Sequence, residues 1–70
     1  MHRLALSAAV DLGRLCAFLR DVHVTVEHVG DGIVEAAIPG APSDLHERRE
    51  LVGYITTWNA LNPGMSVELA

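Results

Sequence analysis

Four histidines, nine carboxylates and one cysteine are the side chains of this sequence equipped to hold a metal or move a proton. Their spacing works against most such uses. His23 and Glu27 would share one face of a strand, but at strand rise they stand roughly 13 Å apart, beyond the span of a single ion. His46 and Glu50 fall at i and i+4 on an outward helical face, a spacing that can chelate and is ordinarily a solvated pair. His28 lies on the apolar parity of its strand near a turn and reads as a partly buried, hydrogen-bonded side chain. No metal site and no cofactor is expected.

The nucleophiles have structural readings. Cys16 sits on or beside the apolar stripe of a helix, where a free cysteine behaves as a small apolar residue, and no histidine or electropositive setting is placed next to it. Ser7 and Ser43 stand where helices need caps and Ser66 in an edge strand, none of them in a nucleophile elbow. Gly30-Asp31-Gly32 is a hairpin turn rather than a phosphate loop, because no helix follows to receive an anion. The expectation is a protein that binds rather than an enzyme.

Charge and composition narrow what it binds. The net charge is −4 with histidines neutral, and the five arginines are scattered without any lysine, which disfavours nucleic acid. Half the residues are apolar and a fifth charged, as expected of a globular domain. Met1-His2-Arg3 followed by Leu4 to Val10 imitates a signal peptide, but Asp11 and Arg14 interrupt the run. The longest charge-free stretch, 51–67, contains Gly53, Asn59, Asn62, Pro63 and Gly64, so no membrane span is expected. A lone cysteine can form no internal disulfide and suits a reducing cytoplasm.

The elements that would position these residues follow from periodicity. Residues 2–6 alternate as a short strand, and the apolar residues at 8, 12, 15, 16 and 19 make a helical stripe over 8–20 capped by Ser7. A competing reading, αββαβ, runs that helix from Leu4 and deletes the first strand. Residues 21–29 alternate Val22, Val24 and Val26 against His23, Thr25 and Glu27, the clearest strand in the chain. A three-residue loop at Gly30-Asp31-Gly32 sets Val29 opposite Ile33, Glu27 opposite Glu35, Val26 opposite Ala36 and Val24 opposite Ile38. A two-residue Asp31-Gly32 loop would mix the faces, and the three-residue loop asks Gly32 for a left-handed backbone. Pro39-Gly40-Ala41-Pro42 ends the strand. Ser43 or Asp44 then caps a helix reaching about Leu61, with Asp44 and Glu47 spaced as a capping box. Its inward stripe reads Leu45, Leu51, Val52, Ile55 and Trp58, with Glu47 outward. Asn62-Pro63-Gly64 stops it, and Met65, Val67 and Leu69 alternate in a final edge strand.

This order, βαββαβ, predicts one α+β domain over 1–70 of the ferredoxin-like, split βαβ kind: a four-stranded antiparallel sheet with two helices on one face. The helix-free face then carries Arg3, Ala5, His23, Thr25, Glu27, Ile33, Glu35, Ala37, Ser66 and Glu68. Arg3, His23, Thr25, Glu27, Ile33 and Glu35 are the candidate binding residues. That face has no aromatic residue, and Trp58 reads as core, so base stacking of the RNA-recognition kind is not expected.

The layout resembles, in topology and across nearly the whole chain, the ACT regulatory domains and the heavy-metal-associated domains. The latter resemblance would imply two cysteines in the first loop, which residues 7–11 lack. The former would imply an Asp-x-x-Gly turn after the first strand, where Asp11-Leu12-Gly13 is one residue short, so no site residue is carried over. The resulting expectation is an interaction or assembly module that meets a protein partner or its own copies through the open sheet face or an edge strand. Its marginal size favours association. An ACT-like small-molecule sensor is the alternative.

Overall fold

A computed structural model describes all seventy residues. The chain runs β1 (His2–Leu6), α1 (Leu12–Asp21), β2 (Thr25–Gly30), β3 (Ile33–Ala37), α2 (Asp44–Leu61) and β4 (Val67–Leu69). The sheet order is β2-β3-β1-β4 and every neighbouring pair is antiparallel. β1 and β3 are therefore central. Each βαβ crossover is split, since β3 lies between β1 and β2 and β1 lies between β3 and β4, as the sequence predicts.

The first strand settles a choice that periodicity leaves open. Leu4 fits a strand or the start of a helix, but His2, Arg3, Leu4 and Ala5 pair with Ala36, Glu35, Val34 and Ile33, while Leu4 to Leu6 pair with β4. Two partners satisfy both sides of the β1 backbone, which a longer helix would leave β3 and β4 without. The αββαβ alternative is thereby excluded.

The core lies between the sheet and the helices. Leu4, Val34, Ala36 and Val67 from the strands meet Leu15 and Leu19 of α1 and Leu51, Ile55 and Trp58 of α2. Phe18 packs edge-on to Trp58 with ring centroids 5.5 Å apart, joining the helices. The Trp58 indole N–H donates to the Met65 carbonyl at 2.8 Å, and the Asn59 amide both donates to and accepts from the Val67 backbone at 2.9 Å. Three-residue β4 is thus tied to α2 as well as to β1. No helix is long and apolar enough to cross a membrane.

Four local expectations change. Helix α1 starts at Leu12, not Ala8, because Asp11 rather than Ser7 is the cap, its carboxylate accepting from the Arg14 N–H at 3.2 Å. Ser7 is used by the turn that lifts the chain from sheet to helix: its N–H donates to the Ser66 carbonyl and its own carbonyl accepts from Val10.

Next, His23 is not in a strand. It follows the C-cap Val22 with φ +63, its N–H donates to the Arg20 carbonyl, and the Val24 N–H donates to Leu19. These two bonds make a Schellman ending, with Leu19 and Val24 both buried in the core and histidine where glycine is usual. Val22 and Val24 alternate as they would in a strand, but here they close a helix.

The hairpin register holds over Thr25↔Ala37, Val26↔Ala36, Glu27↔Glu35 and His28↔Val34. At its end, however, Gly30 rather than Val29 opposes Ile33. The turn is the shorter Asp31-Gly32, and a bulge at Val29 absorbs the one-residue slip that would otherwise have mixed the faces. Gly32 does take the left-handed backbone, φ +68, with its carbonyl accepting from the Leu6 N–H at 2.8 Å.

Finally, α2 is capped by Ser43, whose hydroxyl accepts from the His46 N–H at 3.1 Å. Its inward stripe is Glu47, Leu51, Ile55 and Trp58, leaving Leu45 and Val52 exposed. Leu51, Ile55 and Trp58 define a line at i, i+4 and i+7, and one turn earlier that line passes through Glu47. Leu45 is two residues from Glu47, about 200° around the helix.

Candidate functional site

Pleating sends alternate residues of the central strands to opposite faces, so β1, β2 and β3 together present Arg3, Ala5, Thr25, Glu27, Ile33, Glu35 and Ala37 away from the helices. Five of the six candidate residues meet there. The sixth, His23, is drawn off by the α1 ending. Ser66 precedes β4, while Glu68 stands opposite Ala5.

The face is organised in cross-strand rows. Glu27, Glu35 and Arg3 form one row across β2, β3 and β1, and Ile33, Ala5 and Glu68 form the next. Arg3 Nε lies 3.6 Å from Glu35 Oε2, so the cation beside the acidic pair comes from the neighbouring strand of the same chain. Glu27 has no such partner within the chain and is exposed. Thr25 donates its hydroxyl to the Ala37 carbonyl at 3.1 Å, and a hollow of about 320 Å³ lies among Met1, Thr25, Glu27, Glu35 and Ala37.

The edges are less inviting. Edge strand β4 is only three residues long and edge strand β2 carries the Val29 bulge, both features that discourage pairing with another strand.

A second polar cluster lies at the margin of the covered face, where the sequence places only the outward-facing Glu47. The Glu47 side chain is 8% exposed. Its Oε2 accepts from the Ile38 N–H at 2.9 Å, and its Oε1 accepts from the Met1 ammonium and stands 3.5 Å from His2 Nε2. Asp44 Oδ1 is 3.8 Å from the same ammonium. The ammonium, then the Ile38 N–H, hold the Glu47 carboxyl below the usual carboxylate range against the opposing effect of burial. Hydrogen bonding to Glu47 reciprocally raises the Met1 ammonium. One signal for this cluster was legible: Glu47 sits four residues before Leu51 on the buried line. His2, on the apolar parity of β1, could not be matched to it before the strand was placed over the helix start.

His46 and Glu50 are 3.2 Å apart and both about half exposed, the solvated pair their spacing suggests. At the β2 edge, Arg20, His23, Val24, Thr25, Val26 and Pro39 line a cleft of about 570 Å³. Cys16 is only partly buried and forms no disulfide.

Searches against protein-family models, curated proteins and solved structures find no match to this chain.

Proposed function

We propose that this chain is an assembly module that pairs with a second copy of itself through the helix-free sheet face. The row Glu27–Glu35–Arg3 carries the reading. A two-fold axis running along β3 between two such faces lays β1 of each copy over β2 of the other. Because the three residues lie in one row, Arg3 then meets Glu27 of the other copy twice over. Small Ala5 and Ala37 beside Ile33 let the sheets approach, and sheets stacked in this way pack about 10 Å apart.

The chain's 4319 Å² of surface is close to the roughly 4,200 Å² expected of a folded monomer of its mass. Association would thus use surface the fold leaves over rather than half of a shared core. A reducing, cytoplasmic setting suits the lone thiol of Cys16.

Sedimentation velocity across a concentration series tests the proposal. We expect a monomer–dimer equilibrium that Arg3→Glu abolishes and the double swap Arg3→Glu with Glu27→Arg restores. A strict monomer up to several hundred micromolar, an order-of-magnitude ceiling for a weak specific dimer, overturns it.

One observation favours a second reading, the ACT-like sensor. The open depression beside β2 presents Arg20 and His23 together in an otherwise acidic protein. A small carboxylate or phosphate ligand fits that chemistry. Thermal shift against a panel of such anions, with Arg20→Gln as control, tests it: no stabilised transition removes the reading.

A further inference from the structure

We propose that His2, Asp44 and Glu47 form a binding site for a first-row divalent cation of the zinc class, at the junction of β1 and the start of α2. One ligand atom from each of the three residues falls within 4.8 Å of the other two. Four donors placed about 2.0–2.2 Å from a tetrahedral zinc stand roughly 3.3–3.6 Å from one another. His2 Nε2 and Glu47 Oε1, at 3.5 Å, already meet that spacing. Asp44 is the first residue of α2 and Glu47 lies one turn on, so the helix presents both carboxylates on one side.

The site has the outer support that metal centres use. The Ile38 N–H holds Glu47 Oε2 and so aims Oε1 toward His2. His2 Nε2 is shut off from solvent and makes no hydrogen bond of its own, an unusual state for an imidazole nitrogen and one that coordination relieves. The position also attracts positive charge, since the Met1 ammonium stands between the two carboxylates. That single charge offsets one of two carboxylates, whereas a divalent ion offsets both. A water completes four-coordination. An imidazole among the donors selects zinc-like ions over magnesium or calcium, which prefer oxygen alone.

The site differs from the face proposed for assembly and stands or falls separately. The test is thermal unfolding and calorimetric titration of the chelator-treated full chain, any tag placed at the C-terminus so that Met1 and His2 keep their surroundings. We expect one zinc per chain and, at about a hundred times the dissociation constant, a roughly hundredfold rise in the folding equilibrium constant. Magnesium at the same concentration should give none.

His2→Gln should weaken zinc binding at least about tenfold, the scale of losing a ligand's support. Asp44→Asn, at an exposed position, should weaken it as well. His46→Gln should leave it unchanged. Zinc binding lost in His46→Gln but kept in His2→Gln would assign the ion to the exposed His46–Glu50 pair and overturn the proposal. So would the absence of any shift at about 1 mM zinc, far above the affinity of a protein-built site.

Discussion

The two faces of the sheet each hold a carboxylate beside a cation, and the two arrangements are not equivalent. On the covered side, Glu47 is enclosed and uses both oxygens, one on a backbone N–H and one on the Met1 ammonium. On the open side, Glu35 meets Arg3 at 3.6 Å with the arginine side chain 65% exposed, and Glu27 meets nothing in the chain. Water screens the second arrangement and leaves it worth at most about 1 kcal/mol, whereas the enclosed Glu47 carboxylate is expensive to leave unpaired. Covered polar groups are therefore part of what holds the fold together, and open ones contribute little to it.

Val34 and Ile33 give the sharpest test of this division, being consecutive residues of β3 on opposite faces. Val34 is fully buried and Ile33 only half so. Val34→Ala should cost about 2 kcal/mol or more through the cavity it leaves. Ile33→Ala should cost about 1 kcal/mol or less while weakening self-association. Equal losses in denaturant titrations would erase the distinction between the faces.

The next effect is read in the pH dependence of stability. The folded Glu47 carboxyl lies below its unfolded value, so its contribution is present above the unfolded carboxylate range and is lost as pH falls through the folded value. The Met1 ammonium is raised, so its contribution is present below the ordinary value of 8.0 and is lost as pH rises through the folded one. The pair stabilises in the window between. Glu47→Gln should flatten both limbs of the stability profile, with Glu27→Gln as the exposed control. A profile that Glu47→Gln leaves unchanged would mean the Glu47–Met1 pair contributes nothing net.

The turn joining β2 and β3 serves both faces at once. Gly32→Val should cost more than about 1 kcal/mol, because φ +68 is strained for a β-branched residue and an added Cβ would meet the Leu6 carbonyl at 3.3 Å. A neutral result would show that the turn can relax without disturbing the bulge.

The smallest effect belongs to Glu27. Directly opposite Glu35, it costs up to about 1 kcal/mol of cross-strand repulsion, so Glu27→Gln should leave the monomer equally or slightly more stable. Dimer affinity should nevertheless fall and lose part of its salt dependence. Affinity unchanged at low and high salt would remove the acidic row from the interface.

Much of this was written in local pattern. The alternation of Thr25 to His28 against Val34 to Ala37, the stop at Asn62-Pro63-Gly64 and the left-handed demand on Gly32 are consequences of period-two side-chain placement and steric backbone limits, which act within a few residues. The pairing of Glu27 with Glu35 followed from them. Where two local solutions were degenerate, only the assembled fold chose. Leu4 suits strand or helix until β3 and β4 supply partners on both sides of it. Val22, His23 and Val24 alternate as a strand does, yet the His23 and Val24 N–H groups bond back to Arg20 and Leu19 and make them a helix ending. Glu47 is polar, and sequence pattern assigns polar residues to water. Its burial depends on the Ile38 N–H and the Met1–His2 segment arriving from 9 and 46 residues away, a satisfaction of charge that exists only once β1 lies beside the start of α2.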